Sequence, residues 1–307
     1  MAQETSPITL TIAMVTMNRA DQLTKALQSC LACDLPPKTE FVVIDNASTD
    51  HTPEVVRDTL DGCGYAYHYE HLPHNRGVGG GRHVAFSMAH GKYVYMLDDD
   101  AVIDVAQGRA FFTKCVEILE QNPRVMTLTT QIYDTAWEQN RVETVGKPCT
   151  KGVYEIPMFL GGSHFLRRDF FEHPPYLDNL YGYEELPPSL AVLDARGING
   201  FCPSLRVIHQ PWQDRRDLFV DANRQLLAEG FALMYEIKKA LYPKLLTPVL
   251  WLAYRGRCER HLKGYKAWRK QGQALAATTL ASIPVAYKKI HYSTVAKMFV
   301  KFGKRIF

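Results

Sequence analysis

Short apolar runs recur along the first hundred residues and predict buried strands. They cover residues 8–16 (ITLTIAMVT), 41–44 (FVVI) and 93–97 (YVYML), and the aromatic stretch 65–70 (YAYHYE) suits a further strand. Each run is four to nine residues long, which is an ordinary length for a strand inside a globular protein. Such strands need cover on both faces, so helices are expected between them.

Helical patterns separate these predicted strands. Residues 21–33 place Leu23, Leu27 and Leu31 on one face, and residues 53–60 and 82–90 predict two more helices. The third helix is expected to follow a glycine-rich loop, residues 74–81. Strands that alternate with helices predict the α/β class, with a parallel or mixed sheet covered by helices.

The periodic pattern weakens in the second half of the chain. From Met126 onward it predicts shorter strands and loops, and from Phe219 to the end it predicts helices interrupted by prolines. We therefore predict an α/β domain over residues 1–218 and a helical extension over residues 219–307.

Three of the predicted strands are followed at once by polar residues. These clusters are residues 18–19 (NR), 45–46 (DN) and 98–100 (DDD). In open α/β sheets, ligands bind beyond the carboxyl ends of the strands. The three clusters are therefore expected to meet in one crevice.

The acidic run of Asp98, Asp99 and Asp100 is the strongest single candidate for chemistry. Adjacent carboxylates repel one another unless a positive group lies among them, and hard cations such as Mg²⁺ and Mn²⁺ prefer oxygen ligands. In an extended segment, residues i and i+2 point the same way, so Asp98 and Asp100 can face one site while Asp99 points elsewhere. A solvated acidic turn is the alternative.

Four motifs occur in a fixed order along this part of the chain: residues 16–19 (TMNR), 43–50 (VIDNASTD), 75–82 (NRGVGGGR) and 97–100 (LDDD). Together they resemble the opening of the family-2 glycosyltransferases. The resemblance implies a GT-A fold, in which a Rossmann-like, nucleotide-binding mixed sheet is flanked by helices. It makes residues 8–105 the nucleotide-sugar half and residues 126–212 the acceptor half.

The resemblance also implies a donor and the residues that bind it. The donor would be a UDP- or dTDP-sugar, with Asp45 at the nucleobase, and a carboxylate there can accept the ring N–H of uracil or thymine. A dinucleotide fingerprint is the alternative for the glycines, but the third glycine of that motif is missing. The expected donor-binding residues are Thr16, Asn18, Arg19, Asp45, Asn46, Arg76, Gly77, Arg82, Asp98 and Asp99.

Two later motifs resemble the acceptor side of the same family. They are residues 159–163 (FLGGS) and 181–185 (YGYEE), a small-residue loop and an aromatic residue before an acidic pair. The resemblance implies that Glu185 is the catalytic base, that Glu184 binds acceptor hydroxyls, and that the acceptor also contacts Gly161, Gly162 and Ser163. The family usually has Asp as the base and no proline pair after it. Both glutamates could instead cap the helix that is predicted to follow.

Residues 207–211 (VIHQP) close a β-rich segment with a histidine. In metal-dependent relatives, notably bacterial rhamnosyl- and galactofuranosyltransferase-like enzymes, a metal-binding histidine stands at about this distance after the base. The resemblance thus implies that His209 joins Asp98 and Asp100 around Mn²⁺ or Mg²⁺. A purely structural histidine is the alternative.

The net charge of +4 hides a strong asymmetry. Residues 251–307 contain thirteen Lys and Arg against one acidic residue, Glu259, so the body before them is acidic. Residues 294–307 form a basic amphipathic pattern, which suits either an anionic membrane surface or a helix that packs on the body. Nucleic acid is not expected as a partner, because no nucleic-acid-binding motif accompanies the charge.

The seven cysteines are odd in number and widely scattered, which favours reduced thiols. Cys30 and Cys33 have redox spacing but no second pair, so two small helical residues are the favoured interpretation. The N-terminal residues lack the pattern of a signal peptide, and no run of eighteen apolar residues occurs. The expected location is cytoplasmic, peripheral on the inner face of the cell membrane.

These features predict an inverting, metal-dependent hexosyl- or deoxyhexosyltransferase. It would act on a glycan or lipid-linked glycan acceptor in surface polysaccharide biosynthesis. One alternative is a nucleotidyltransferase. Such an enzyme is expected to have a glycine-rich loop after the first strand, but residues 17–21, which follow that strand here, contain no glycine. A catalytically inactive sugar-nucleotide-binding protein is the other alternative.

Overall fold

The computed structural model describes residues 8–142, 148–178, 182–211, 221–262, 264–281 and 288–307. Within these ranges, eleven strands pair into one mixed sheet. The order along the sheet is β3-β2-β1-β4-β10-β6-β11-β9-β8, with β5 paired to β11 and β7 paired to β6. The strands are β1 (Leu10–Thr16), β2 (Thr39–Asp45), β3 (Ala66–His71), β4 (Tyr93–Asp98), β5 (Ala101–Ile103), β6 (Val125–Asp134), β7 (Gln139–Asn140), β8 (Pro148–Thr150), β9 (Val153–Glu155), β10 (Ser163–Arg167) and β11 (Ile198–His209).

Helices cover this sheet and continue beyond it towards the C-terminus. They are α1 (Ala20–Leu31), α2 (Thr52–Leu60), α3 (Gly77–Met88), α4 (Phe111–Gln121), α5 (Leu186–Asp194), α6 (Asp221–Leu241), α7 (Thr247–His261), α8 (Tyr265–Ala281) and α9 (Tyr292–Phe302). The predicted α/β class is confirmed, and so is the predominantly helical character of the described residues after 219.

The first four strands are parallel, and their carboxyl ends lie side by side. Thr16 of β1 pairs with Asp45 of β2, and Val15 pairs with Asp98 of β4. The three polar clusters therefore emerge at one edge of the sheet, as the sequence predicts. β10 then runs antiparallel between β4 and β6, which turns the sheet into a mixed one.

The prediction of shorter strands after Met126 is wrong for β6 and β11, which are 10 and 12 residues long. Their sequences contain threonine and asparagine where a buried strand would be expected to be apolar. These side chains bond one another inside the sheet, as Thr127 does with Asn199 at 2.8 Å. Polar side chains that are hydrogen-bonded in this way can be buried at little cost. They interrupt the apolar run from which a buried strand is predicted, and so these two strands were missed in their full length.

The helix α3 begins at Gly77, five residues before the predicted start, and most of the expected glycine loop is its first turns. The reason is close packing on the sheet, because a Cβ atom at Gly81 would lie 2.4 Å from Val15 Cγ1. Asn46 and Asn75 accept hydrogen bonds from the backbone N–H groups of Arg76 and Gly77, respectively, where the helix begins. Glycine here permits the approach of the helix to β1.

The C-terminal helices form a second apolar core together with α5. In α9, Val295 and Met298 are buried, and Ile306 after the helix is buried as well. The apolar stripe predicted for residues 294–307 thus packs largely on the body of the protein. No helix in the described ranges is both long enough and apolar enough to cross a membrane.

All seven cysteines are free thiols. Cys30 lies in α1 and Cys33 follows it, and both are buried. Burial raises the pKa of both thiols, to about 11 for Cys33, so neither is a reactive thiolate at neutral pH. The interpretation of this pair as small packing residues agrees with these positions.

Candidate active site

A cavity of about 460 Å³ opens at the carboxyl ends of β1 and β4. Most of the residues that the sequence singles out contribute to its walls. Those that line it are Thr16, Arg19, Asn46, Gly77, Arg82, Asp98, Asp99, Asp100, Gly161, Gly162, Glu184, Glu185 and His209. Motifs more than 190 residues apart in the chain are thus brought to one place.

Asp99 is held by the loop that follows β1. Thr16 Oγ1 donates a hydrogen bond of 2.8 Å to one carboxylate oxygen, and Arg19 donates one of 2.9 Å to the other. Burial raises the pKa of Asp99 to about 6, although the charge of Arg19 acts in the opposite direction. Asp99 therefore joins two segments of the site.

Asp98, Asp100 and His209 offer ligand atoms that lie within 4.8 Å of one another. Asp100 Oδ1 is 3.1 Å from Nε2 of His209. Two carboxylates and an imidazole form a donor set that suits Mn²⁺ and also accommodates Mg²⁺. The residues present therefore fit a divalent cation.

His209 is oriented from behind by a second carboxylate. Its Nδ1 lies 3.0 Å from Asp134 Oδ2, and Asp134 is only 1% exposed. Histidines that bind metals commonly use their other ring nitrogen in this way, which fixes the ring and its tautomer. No sequence motif marked Asp134, because its partner is 75 residues away.

Arg82 is the centre of the charged network. Its Nη1 donates to Glu184 at 3.0 Å and to Glu185 at 2.9 Å, and its Nη2 donates to Asp98 at 2.7 Å. Nη2 also donates to the carbonyl of Gly161 at 2.9 Å. The terminal nitrogens of this guanidinium are thus occupied by protein groups, whereas the sequence analysis expects Arg82 among the donor-binding residues.

The acidic pair has the surroundings of a proton acceptor. Burial, reinforced by the charge of Glu184, raises the pKa of Glu185 to about 8, against the opposing effect of Arg82. Oε2 of Glu184 is buried and has no hydrogen-bond partner among the residues that the structure describes. Glu185 does not cap α5 through its side chain. The capping alternative is therefore not supported for Glu185.

Asp45 lies behind the cavity wall. It is 0% exposed, and its carboxylate accepts hydrogen bonds from the Ser48 backbone at 2.7 Å and from Tyr69 at 2.6 Å. His71 Nδ1 is 3.0 Å from the same carboxylate. Burial alone would raise the pKa of Asp45, but these hydrogen bonds outweigh it and lower the pKa. A nucleobase contact at Asp45 would require this carboxylate to become accessible from the cavity, because it is 0% exposed.

Three more predicted residues do not belong to the described cavity lining. Arg76 is paired with Asp178, and Asn18 bonds the backbone of Thr49. Ser163 is 0% exposed, and its hydroxyl is bonded to Tyr95 at 2.8 Å inside the sheet. The Ser163 side chain is thus part of the core, and the acceptor contact expected at this residue stays a prediction.

Arg141 is a cavity residue that the sequence analysis missed. It follows β7, and its Nη2 donates to Asp134 at 3.1 Å and lies 3.0 Å from His209 Nδ1. It belongs to no motif, and only the pairing of β6 with β7 brings it to the site. Tyr181 of the acidic-pair motif lies outside the described residues.

Residues 11–173, more than half of the chain, match the family Glycosyl transferase family 2, and the chain belongs to that family. It is 34% identical over 95 residues to the succinoglycan biosynthesis protein ExoU of Rhizobium meliloti (strain 1021) and 32% identical over 94 residues to ExoO of the same strain. Each match covers 31% of this chain and 27% or 26% of the relative, so the chain matches under a third of their length.

Solved structures agree with the family in fold. The mannosyltransferase PcManGT from Pyrobaculum calidifontis, in complex with GDP-Man and Mn²⁺, has a TM-score of 0.59 at 17% identity, covering 97% of this chain and 81% of that one. GalNAc-T7 with UDP, GalNAc and Mn²⁺ has a TM-score of 0.57 at 15% identity, covering 91% and 57%. TarS 1-349 of S. aureus with UDP-GlcNAc reaches 0.54 at 16%, covering 90% and 91%. This chain therefore has the GT-A fold of glycosyltransferases.

Proposed function

We propose that this protein is an inverting, metal-dependent glycosyltransferase. It moves a hexose or deoxyhexose from a UDP- or dTDP-sugar to a glycan or lipid-linked glycan acceptor. The observation that carries the proposal is a single cavity that combines the Asp98, Asp100 and His209 donor set with the buried pair Glu184 and Glu185. A role in surface polysaccharide biosynthesis is supported by the two succinoglycan biosynthesis relatives.

Charge explains why such a site needs a cation. Five carboxylates line the cavity, against the three guanidinium groups of Arg19, Arg82 and Arg141. A nucleoside diphosphate would add further negative charge to a site that is already acidic. Asp98, Asp100 and His209 would hold a divalent cation, which supplies positive charge for the departing diphosphate.

The chain's own groups then handle the acceptor. Glu185 takes the proton of the acceptor hydroxyl as that oxygen attacks the anomeric carbon. A raised pKa, near the operating pH, suits a general base. Glu184 accepts hydrogen bonds from neighbouring hydroxyls through its unpartnered oxygen. A single direct displacement of this kind inverts the anomeric configuration.

The first test is a thermal-shift comparison of sugar nucleotides with and without Mn²⁺. A UDP- or dTDP-sugar with Mn²⁺ is expected to raise the Tm, because a ligand that binds only the native state stabilises it. We expect Asp100→Asn and His209→Ala to raise the Mn²⁺ concentration that gives half of the shift by at least about 10- to 100-fold, the range seen when a metal site loses a supporting group.

Asp21→Asn is the matched control for Asp100→Asn. It makes the same change of charge at a side chain that is 86% exposed and outside the cavity, so it should leave the metal dependence unchanged. If no nucleoside diphosphate or its sugar stabilised the protein, the proposed donor class would be wrong. An equal Mn²⁺ requirement in wild type and His209→Ala would remove His209 from the metal site.

Peripheral membrane contact is the second part of the proposal. The apolar face of α9 is largely engaged by the body, but Leu245 before α7 is 79% exposed and Leu252 within it is 65% exposed. Val300 on α9 is 85% exposed, and residues 251–307 are strongly basic. Exposed apolar groups together with basic charge suit an anionic lipid surface.

Vesicle sedimentation tests this contact. The full chain is expected to bind vesicles that contain phosphatidylglycerol, and more weakly at high salt, because the attraction to anionic lipid is screened. Leu245→Ser together with Leu252→Ser should reduce binding, and Leu275→Ser on α8 is the control. Equal recovery with neutral and anionic vesicles, or no binding at all, would contradict the electrostatic contact.

A further inference from the structure

A second cavity, of about 130 Å³, lies between α5 and the C-terminal helices. Most of its described wall is apolar and includes Leu186, Leu190 and Met298. Two cationic side chains also line it, Lys238 of α6 and Arg257 of α7. No carboxylate side chain belongs to the described lining of this cavity. Two like charges thus face an apolar space.

Lys238 is buried without a counter-charge among the residues that the structure describes. The residue is 6% exposed, and the described part of the chain provides no hydrogen bond or ion pair to its ammonium group. Burial, together with the charge of Arg257, lowers the pKa of Lys238 to about 7. An unpaired buried ammonium is costly, so an anion in the cavity would relieve an unfavourable arrangement.

Arg257 is held in place by contacts with three described residues, none of which has an acidic side chain. Its Nη1 donates to Met234 Sδ at 2.8 Å, and its guanidinium lies 5.8 Å from the centre of the Phe231 ring. Nη2 makes a long contact of 3.4 Å with the main-chain oxygen of Phe307. These contacts orient the guanidinium beside the cavity, and no described carboxylate side chain forms an ion pair with it.

Tyr183 connects this cavity to the catalytic one, because it lines both. The residue directly precedes Glu184, and its positive φ of 60° places it in the left-handed region. Burial raises the pKa of Tyr183, while Arg257 acts to lower it and Glu185 to raise it. Its side chain therefore lies within electrostatic reach of the proposed base and of the second cavity.

The size of the cavity limits what it can hold. A volume of about 130 Å³ is far smaller than that of the catalytic cavity, about 460 Å³, so it suits a phosphate group and is too small for a nucleotide sugar. A guanidinium binds phosphate oxygens in a fork, and an ammonium adds a point charge. The apolar wall at Leu186 and Met298 would suit a hydrocarbon chain attached to that phosphate.

We propose that Lys238 and Arg257 form a binding site for the phosphate ester of the acceptor, beside the catalytic cavity. The acceptor class would be a sugar or alcohol that is linked through phosphate to an apolar chain. Only the assignment of this group to the acceptor rests on the proposed glycosyltransferase function. The phosphate site itself rests on the cavity and its two cations.

Calorimetric titration of the full chain with octyl phosphate, in EDTA and without nucleotide, tests the site. Octyl phosphate is expected to bind, octanol not to bind, and inorganic phosphate to bind more weakly because it lacks the chain. Lys238→Met should weaken octyl phosphate by about 10- to 100-fold, the usual effect of losing a charged hydrogen bond. In the ligand-free protein this variant should also raise the Tm, because an unpaired charge is removed.

Lys239→Met is the matched control. Lys239 is the next residue of α6, is 46% exposed and pairs with Glu236, so its loss should leave octyl phosphate binding unchanged. Lys238→Arg keeps the charge and should retain binding, which guards against a variant that merely fails to fold. Inorganic phosphate binding as tightly as octyl phosphate would support the site and make a free ion its ligand.

Two results would overturn the proposal. One is unchanged octyl phosphate binding in a folded Lys238→Met, and the other is no saturable binding to wild type. Neither depends on the donor, so the nucleotide thermal shift is scored separately. A further outcome is that Lys238→Met loses octyl phosphate binding while neither wild type nor any variant binds a nucleotide. That result would support the phosphate site and contradict the proposed function.

Discussion

Replacing Glu185 by glutamine is expected to lower the rate of sugar transfer by about 100- to 10,000-fold, the usual contribution of a general base. Glutamine has nearly the same shape but cannot accept the proton. Binding of the sugar nucleotide should stay close to that of wild type, because the donor contacts expected from the sequence do not include Glu185. Turnover measured by product formation, beside nucleotide affinity from calorimetry, separates the two effects.

Glu184→Gln is the matched control, because it makes the same chemical change at the adjacent residue. Glu184 and Glu185 also accept hydrogen bonds from the same arginine, Arg82. We expect it to change the KM for acceptor more than kcat. In wild type, kcat/KM should rise with pH through about 8, because the base works only when deprotonated and burial raises its pKa to that value. Glu185→Gln should lose this rise.

If Glu185→Gln turned over as fast as wild type, Glu185 would not be the base, and Glu184 would become the candidate base. A different outcome concerns the protein as a whole. If wild type bound a sugar nucleotide tightly and transferred nothing to any acceptor or to water, the inactive binding protein would be the better description. The two results call for different revisions, because the first changes a residue and the second changes the function.

Replacing Arg82 by methionine is expected to reduce the free energy of unfolding by about 3–5 kcal/mol at pH 7, the usual cost of breaking a buried ion pair. The substitution leaves the buried Glu184 and Glu185 and the half-buried Asp98 without their shared cation. Methionine keeps much of the apolar volume, so a missing charge rather than a large hole dominates the loss. Urea unfolding at constant m-value measures it.

The loss should shrink as the pH falls. Without Arg82, the folded-state pKa of Glu185 rises further above its unfolded value, and Asp98 loses the cation that holds its own pKa below the usual range. Groups raised in this way keep their stability at low pH, where both states are protonated, and lose it as pH rises through the folded pKa. Arg57→Met is the control, because this arginine is 57% exposed and pairs only with Glu54 on the described surface. A pH-independent deficit, or one equal to that of Arg57→Met, would contradict the assignment.

The local part of this architecture was accessible from the sequence. β1, β2 and β4 are continuous apolar runs, and each helix between them carries its own pattern, so neighbouring residues decide the outcome. Asp98, Asp100 and His209 were found because residue type and motif order marked them. Their convergence follows from a general property of parallel strands, whose carboxyl ends share one edge.

The rest depends on contacts between distant residues, which no local pattern records. Arg82 was expected among the donor-binding residues, yet it faces Glu184 and Glu185, more than 100 residues further on. Asp134 and Arg141 reach His209 only through the pairing of β6 with β7 and β11. No sequence pattern marked Lys238, and its burial follows from helix packing.

The sheet order also dictates when the metal site can exist during synthesis. β11, which carries His209, pairs with β6 and β5, and it leaves the ribosome 109 residues after Asp100. At about 5–20 residues per second, this delay is roughly 5–20 s. During that interval the acidic run lacks His209, and for the first 84 residues it also lacks the Glu184 and Glu185 partners of Arg82. The aspartates of the acidic run are therefore synthesised well before His209. The complete metal site can form only late in folding.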